Sequence, residues 1–227
     1  MPTKTEGMGI LTHAEISDLF KQFQARIKKK AEFEQGKEYL LKFRKSIWDI
    51  YNYIFDTATA EEYSAMPLRN DKTIAYFIYH TNRIEDITSN TLILEQEQIF
   101  YQREYQKRLG SPIATTGNEL CREQLVGFSQ SLNIDELKNY VKEVFAKTTK
   151  LIEKMTFEES KTKITPQVRE RLIELNSVST DETAFWLVDY WCKKDYCGLL
   201  LMPFSRHQLL HLNGCLRIIE KLKKQKS

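Results

Sequence analysis

Apolar residues recur along most of this chain at the three-and-four spacing of amphipathic helices. Over residues 12–30, Ile16, Leu19, Phe20, Phe23 and Ile27 form one stripe, with Thr12 as N-cap and Glu15 at the matching box position. A second helix is predicted over 37–57 through Leu40, Leu41, Phe43, Ile47, Ile50, Tyr51 and Ile54, and "MPLRND" breaks it. The longest clean run, "KTIAYFIYHTNRIEDITSNTLIL", takes Asp71 as its expected N-cap. Its positions 77, 80, 84, 87, 91 and 94 follow the spacing of a bundle seam and read Phe77, His80, Ile84, Ile87, Thr91 and Leu94. A histidine therefore occupies the seam itself, where its ring is not spared burial.

The joint "RLGSPIATTGN" (108–118) interrupts the pattern, and a short segment at 119–128 follows. A strong helix is expected over 134–155, capped by Asn133 and presenting Leu137, Val141, Val144, Phe145, Thr148 and Ile152. Thr165 before Pro166 opens another, with Pro at the first helical position. Then come "DETAFWLVDYW" and an insert expected to be non-helical, "CKKDYCGLLLMPF". The last helix is predicted to start at Ser205, where Ser205 and Gln208 spell a capping box. Leu209, Leu212, Leu216 and Ile219 form its main stripe, with His207, His211, Cys215 and Ile218 beside it.

Composition agrees: 227 residues hold only 8 Gly and 5 Pro, which favours a single all-α domain over a turn-rich β architecture. The balance of 34 basic against 31 acidic residues, +3 net, is too mild to imply a nucleic-acid or membrane partner. The basic runs at 26–30 and 221–226 read as solvated helix ends. No stretch approaches the roughly 18–20 apolar residues of a membrane span, and "MPTKTEGMGILTHAE" has no apolar core of a signal peptide. The four cysteines, Cys121, Cys192, Cys197 and Cys215, form no disulfide framework, so a reduced, cytoplasmic setting is expected.

The chemistry lies in the histidines, of which there are four. His207 and His211, one helical turn apart, stand about 6 Å apart along the axis and can share a divalent ion. A stable site needs a third ligand, and His80 on the seam of another helix is the candidate, since bundles build metal centres from facing helices. The competing reading is of ordinary core and surface imidazoles; His13, in the first turn of the first helix, is read that way. Cys192, Cys197, His207 and His211 superficially resemble a zinc finger, but their central gap of nine is short and Cys192 closes a helix. Position 208 is Gln, so the general-base Glu of zinc peptidases is missing. Cys215 is two turns from His207 and is read as a small buried hydrophobe. Glu85 and Asp86 point well away from the His80 direction on the wheel, and an ion pair with Arg83 or a neighbouring helix is preferred to a ligand role. Tyr79, Arg83 and Arg206 are candidate pocket residues, with packing or solvent as the simpler role for each.

"KTIAYFIYHTNRIEDITSNTLI" and "MPFSRHQLLHLNGCLRI", more than a hundred residues apart and in order, resemble the DinB-like (YfiT-like) superfamily of metalloenzymes, whose members pair an H-x-x-R-I-E-D helix with a late R-H-x-x-x-H-L-N helix. The resemblance implies a four-helix bundle with up-down-down-up connectivity and extra short helices. It also implies a divalent ion, zinc or nickel, on His80, His207 and His211. Metal-dependent transferase or hydrolase chemistry on a small molecule, with a thiol among the candidate cosubstrates, would follow. Members of the superfamily often form homodimers. The alternative is a non-enzymatic stress-related or protein-interaction protein with a structural or vestigial histidine cluster. Two features depart from the superfamily: segments 119–128 and 165–197 are extra, and Gly214 replaces a carboxylate that often follows Asn213.

Overall fold

The computed structural model describes residues 11–67 and 72–226, and within them the chain is helical, its one β contact an isolated bridge between Lys163 and Asp195. The elements in order are α1 (His13–Arg26), a 3-10 turn (Lys30–Glu32), α2 (Phe33–Thr57), α3 (Ala60–Ser64) and α4 (Ile74–Asp86), which runs into a π-helical segment (Ile87–Ile93). Next come α5 (Ile99–Gln102), α6 (Tyr105–Leu109), α7 (Arg122–Ser131), α8 (Ile134–Lys154), α9 (Phe157–Ser160), α10 (Pro166–Glu174) and α11 (Glu182–Cys192). The chain ends in α12 (Tyr196–Leu201), a second π-helical segment (Met202–Arg206) and α13 (His207–Lys226). Helices α2 and α4 each pack against both α8 and α13, and α1 lies along α2.

The expected caps at Thr12, Asn133 and Thr165 all form. Asp71 lies outside the described residues; the cap of α4 is Thr73, whose side chain accepts from the Tyr76 amide. α1 ends at Arg26 and α2 starts at Phe33, four residues before the predicted start, because Gly36 lets the first turn of α2 press on the backbone of α1's end. A Cβ there would stand 2.9 Å from the Ile27 nitrogen.

The seam predicted along α4 is not a seam, because residues 73–93 are buried on every face. α8 and α13 cover the helix, as do α3, α5 and α7, and α10 lies on the π segment. The segments at 119–128 and 165–197 thus supply part of that cover, as α7 and α10. Polar side chains on a helix buried all round must find partners inside the protein. Several take backbone carbonyls: Thr88 Oγ1 donates to Ile84 O (2.7 Å) and Ser89 Oγ to Asp86 O (3.4 Å). This side-chain competition accompanies the change from α to π after Asp86.

The insert before the last helix proves largely helical. Asp195 caps α12 through the Gly198 amide (2.8 Å). Pro203, which cannot donate a backbone hydrogen bond, sits where the chain widens into its second π turn. Residue 205 is therefore reached from inside a helix, and no box forms there. Ser205 Oγ donates to Leu200 O (2.7 Å), while the Gln208 amide points into the core. The buried face of α13 carries Gln208, Leu212, Cys215, Ile218 and Ile219, with Leu209 and Leu216 only partly buried. No described helix is long and apolar enough to cross a membrane.

Candidate metal centre

α13 runs antiparallel to α4, as their cross-contacts show. Gln208 Nε2 reaches Thr81 O (3.3 Å), a Cβ on Gly214 would meet the Phe77 ring at 2.8 Å, and Cys215 Sγ lies 4.0 Å from Ile74 O. As α13 advances, its partners step back along α4. His207 and His211, on one side of α13, consequently both face His80. Ring centroids are 5.1 Å apart for His80 and His207, 5.0 Å for His80 and His211, and 4.5 Å for His207 and His211. Ligand nitrogens of the three all lie within 4.8 Å of one another, and the Nε2 atoms of His207 and His211 are 3.1 Å apart. Gly214 now has a reason in packing: no larger residue permits this approach of α13 to Phe77.

His80 is held from two directions. Its Nδ1 stands 2.8 Å from the Thr116 carbonyl, which can only accept, so Nδ1 carries the proton and Nε2 keeps the lone pair. The Tyr76 ring stacks on the imidazole at 5.4 Å with 10° between planes. The loop that brings Thr116 is itself pinned by α4. Tyr76 donates to Gly117 O (3.0 Å), Tyr79 to Ile113 O (3.0 Å) and Thr115 O (3.1 Å), and Arg83 Nη2 to Ala114 O (2.7 Å). The joint that interrupts the helical pattern is thus an ordered wall of the site, built from carbonyls that carry no side-chain signal. Tyr76, one turn before His80, is the part of this wall that helical spacing could have revealed.

Burial favours the neutral form of each ring. It lowers His80 to about 3, helped by His211 and Lys72 against the opposing Thr116 bond. It lowers His211 to about 4, with a further contribution from Lys72, and it holds His207 well below the ordinary histidine value, with His80 and His211 adding to the effect. Neutral imidazoles are the form that ligates. The cluster contains no carboxylate, and His207 Nδ1 is buried without a partner.

The donor set fits a divalent cation. Two nitrogens each 2.0–2.1 Å from one ion are about 3.3 Å apart at the tetrahedral angle, close to the His207–His211 spacing. Three neutral nitrogens leave a coordination position open. His80, His207 and His211 form a group that could hold a metal ion.

The other candidates fall elsewhere. Glu85 pairs with Arg44 on α2 (2.8 Å), and Asp86 with Arg83 (3.4 Å), both inside the core. Tyr79 and Arg83 are packed, while His13 and Arg206 face solvent. Cys215 is fully buried, as expected of a small hydrophobe. Cys197 lies against the end of α1 near Ile27 O (3.8 Å), and neither it nor Cys192 belongs to the histidine group, so the finger-like spacing has no spatial counterpart.

No protein-family model and no curated protein matches the chain. Among solved structures it is similar to one described as the crystal structure of the conserved protein of locus from Enterococcus faecalis, with a TM-score of 0.59 at 10% identity over 81% of this chain and 95% of that one. At that identity the likeness is one of fold.

Proposed function

We propose that this chain is a four-helix-bundle protein of the DinB-like kind that binds a divalent ion, zinc or nickel, on His80, His207 and His211, and that the ion serves a transferase- or hydrolase-type reaction on a small molecule. The observation that carries this reading is the convergence of three neutral imidazoles, from helices more than a hundred residues apart in sequence, with no counter-charge among them. The helices α2, α4, α8 and α13 are its bundle. A divalent ion held there supplies a Lewis acid that polarises an oxygen or sulfur ligand, a thiol cosubstrate among the candidates. The protein's part is to keep His80 in one tautomer through Thr116, to stack Tyr76 on its ring, and to exclude water with Phe77 and the 113–117 loop.

A second reading, a structural ion in a non-enzymatic helical protein, draws on depth: His80 is 4% exposed. Cobalt substitution separates the two. An absorption spectrum that shifts on adding small thiols or anions supports the open, reactive site; a spectrum indifferent to both supports the structural one.

A further inference from the structure

His207 follows directly on the π-helical segment Met202–Arg206. An extra residue in a helix rotates everything after it by about 100°. The direction of His207 and His211 therefore depends on how that widened turn is held. A buried network grips the chain on both sides of His207. Before it, Arg44 Nη1 donates to the Phe204 carbonyl inside the π turn (2.9 Å). After it, Gln208 Nε2 donates to Glu85 Oε2 (2.8 Å), and Gln208 Oε1 accepts from Tyr51 (2.5 Å). Arg44 and Glu85 close the circuit, with Nη2 to Oε1 at 2.8 Å and Nη1 to Oε2 at 3.3 Å. Arg44 is 1% exposed, and Glu85 and Gln208 are fully buried.

A fully buried ion pair is a weak source of stability, because desolvation offsets the attraction and apolar residues of similar volume serve as well or better. Its distinct capability is directional: a bidentate guanidinium–carboxylate pair fixes relative position. Here the fixed objects are α2, α4 and the turn that aims two of the three imidazoles.

We infer that Arg44, Glu85 and Gln208 are positioning residues of the histidine site, setting the rotation of α13 so that His207 and His211 meet His80. This rests on the metal-binding reading above. The test uses the double variant Arg44→Met/Glu85→Leu, which removes both charges together, and the single variant Gln208→Leu, which leaves the ion pair intact should the double variant fail to fold.

Zinc affinity is measured by competition with a chromophoric chelator, cobalt absorption reports the ligand geometry, and melting of the metal-free proteins reports the fold. The expected result is a weakening of zinc affinity by about 10–100-fold, with an altered cobalt spectrum and a metal-free melting temperature that does not fall in parallel. Unchanged affinity and spectrum in a folded variant would overturn the inference and leave the metal reading standing. A wild-type protein that binds neither ion would overturn both.

Discussion

Two buried polar clusters sit within two turns of each other on α4 and are built in opposite ways. Around Asp86 every charge is matched: its carboxylate accepts from the Ile99 and Phe100 amides (3.0 and 2.9 Å), Asn90 Nδ2 (2.8 Å), the Tyr140 hydroxyl (2.8 Å) and Arg83 Nη1 (3.4 Å). Arg83 also donates to Gln98 (2.8 Å) and lies 3.9 Å over the Phe100 ring. Around His80 three like groups face each other with no acid present. A cluster whose carboxylate and guanidinium are matched in charge needs no further ion, and its role is to hold α5 and α8 to α4. A cluster of gathered lone pairs is complementary to a cation the protein does not itself supply.

The sharpest difference is in pH response. In the unfolded chain the three imidazoles titrate near 6.5, whereas in the fold burial keeps them neutral well below that, to about 3 for His80 and about 4 for His211. Below about 6.5 the unfolded state therefore binds more protons, and stability falls with pH. Their contribution is complete above about pH 6.5 and is lost progressively as the pH falls toward the lowered values of the folded state. Urea melts of metal-free protein at pH 7, 6 and 5 should show this loss, and His207→Leu should reduce the slope by about one proton. A slope that His207→Leu leaves unchanged would assign the acid sensitivity elsewhere.

The next effect comes from the matched cluster. Asp86→Ala strands a buried guanidinium and two amides, with an expected cost of about 3–5 kcal/mol. His207→Leu removes a desolvated ring and should cost far less in the metal-free protein. Equal losses in thermal melts would erase the distinction between the clusters. Smaller still, Gly214→Ala drives a methyl into the Phe77 ring and should cost about 1–3 kcal/mol by overpacking, while moving α13 off α4 and weakening metal uptake. The smallest is Tyr76→Phe, which keeps the stack on His80 but loses the bond to Gly117 O, worth about 1 kcal/mol in melts, with ion binding retained.

How far the sequence reveals this molecule varies by region. The helix caps at Thr12, Asn133 and Thr165 are local chemistry and read directly. The i, i+4 pair of the histidine trio was legible because that spacing survives translation into space, whereas the seam assigned to His80 did not, since α4 is buried on every face. Ser205 and Gln208 misled because a capping box is a signature of chain entering a helix, and here the chain is already helical when it arrives. Arg44 was legible in principle: it replaces an apolar residue in the 40, 44, 47, 51 spacing of α2, yet its partners Phe204 and Glu85 are far away in sequence. The Thr116 carbonyl was not legible, because a backbone acceptor leaves no mark in the residue pattern.

The central claim is that the three rings gather lone pairs for an ion. It is tested by metal content, measured by mass spectrometry on protein purified without a metal column and dialysed against trace zinc and nickel. The wild type should carry close to one ion per chain, and His207→Ala less than about 0.2. Wild-type protein that retains no more than the variant would contradict it.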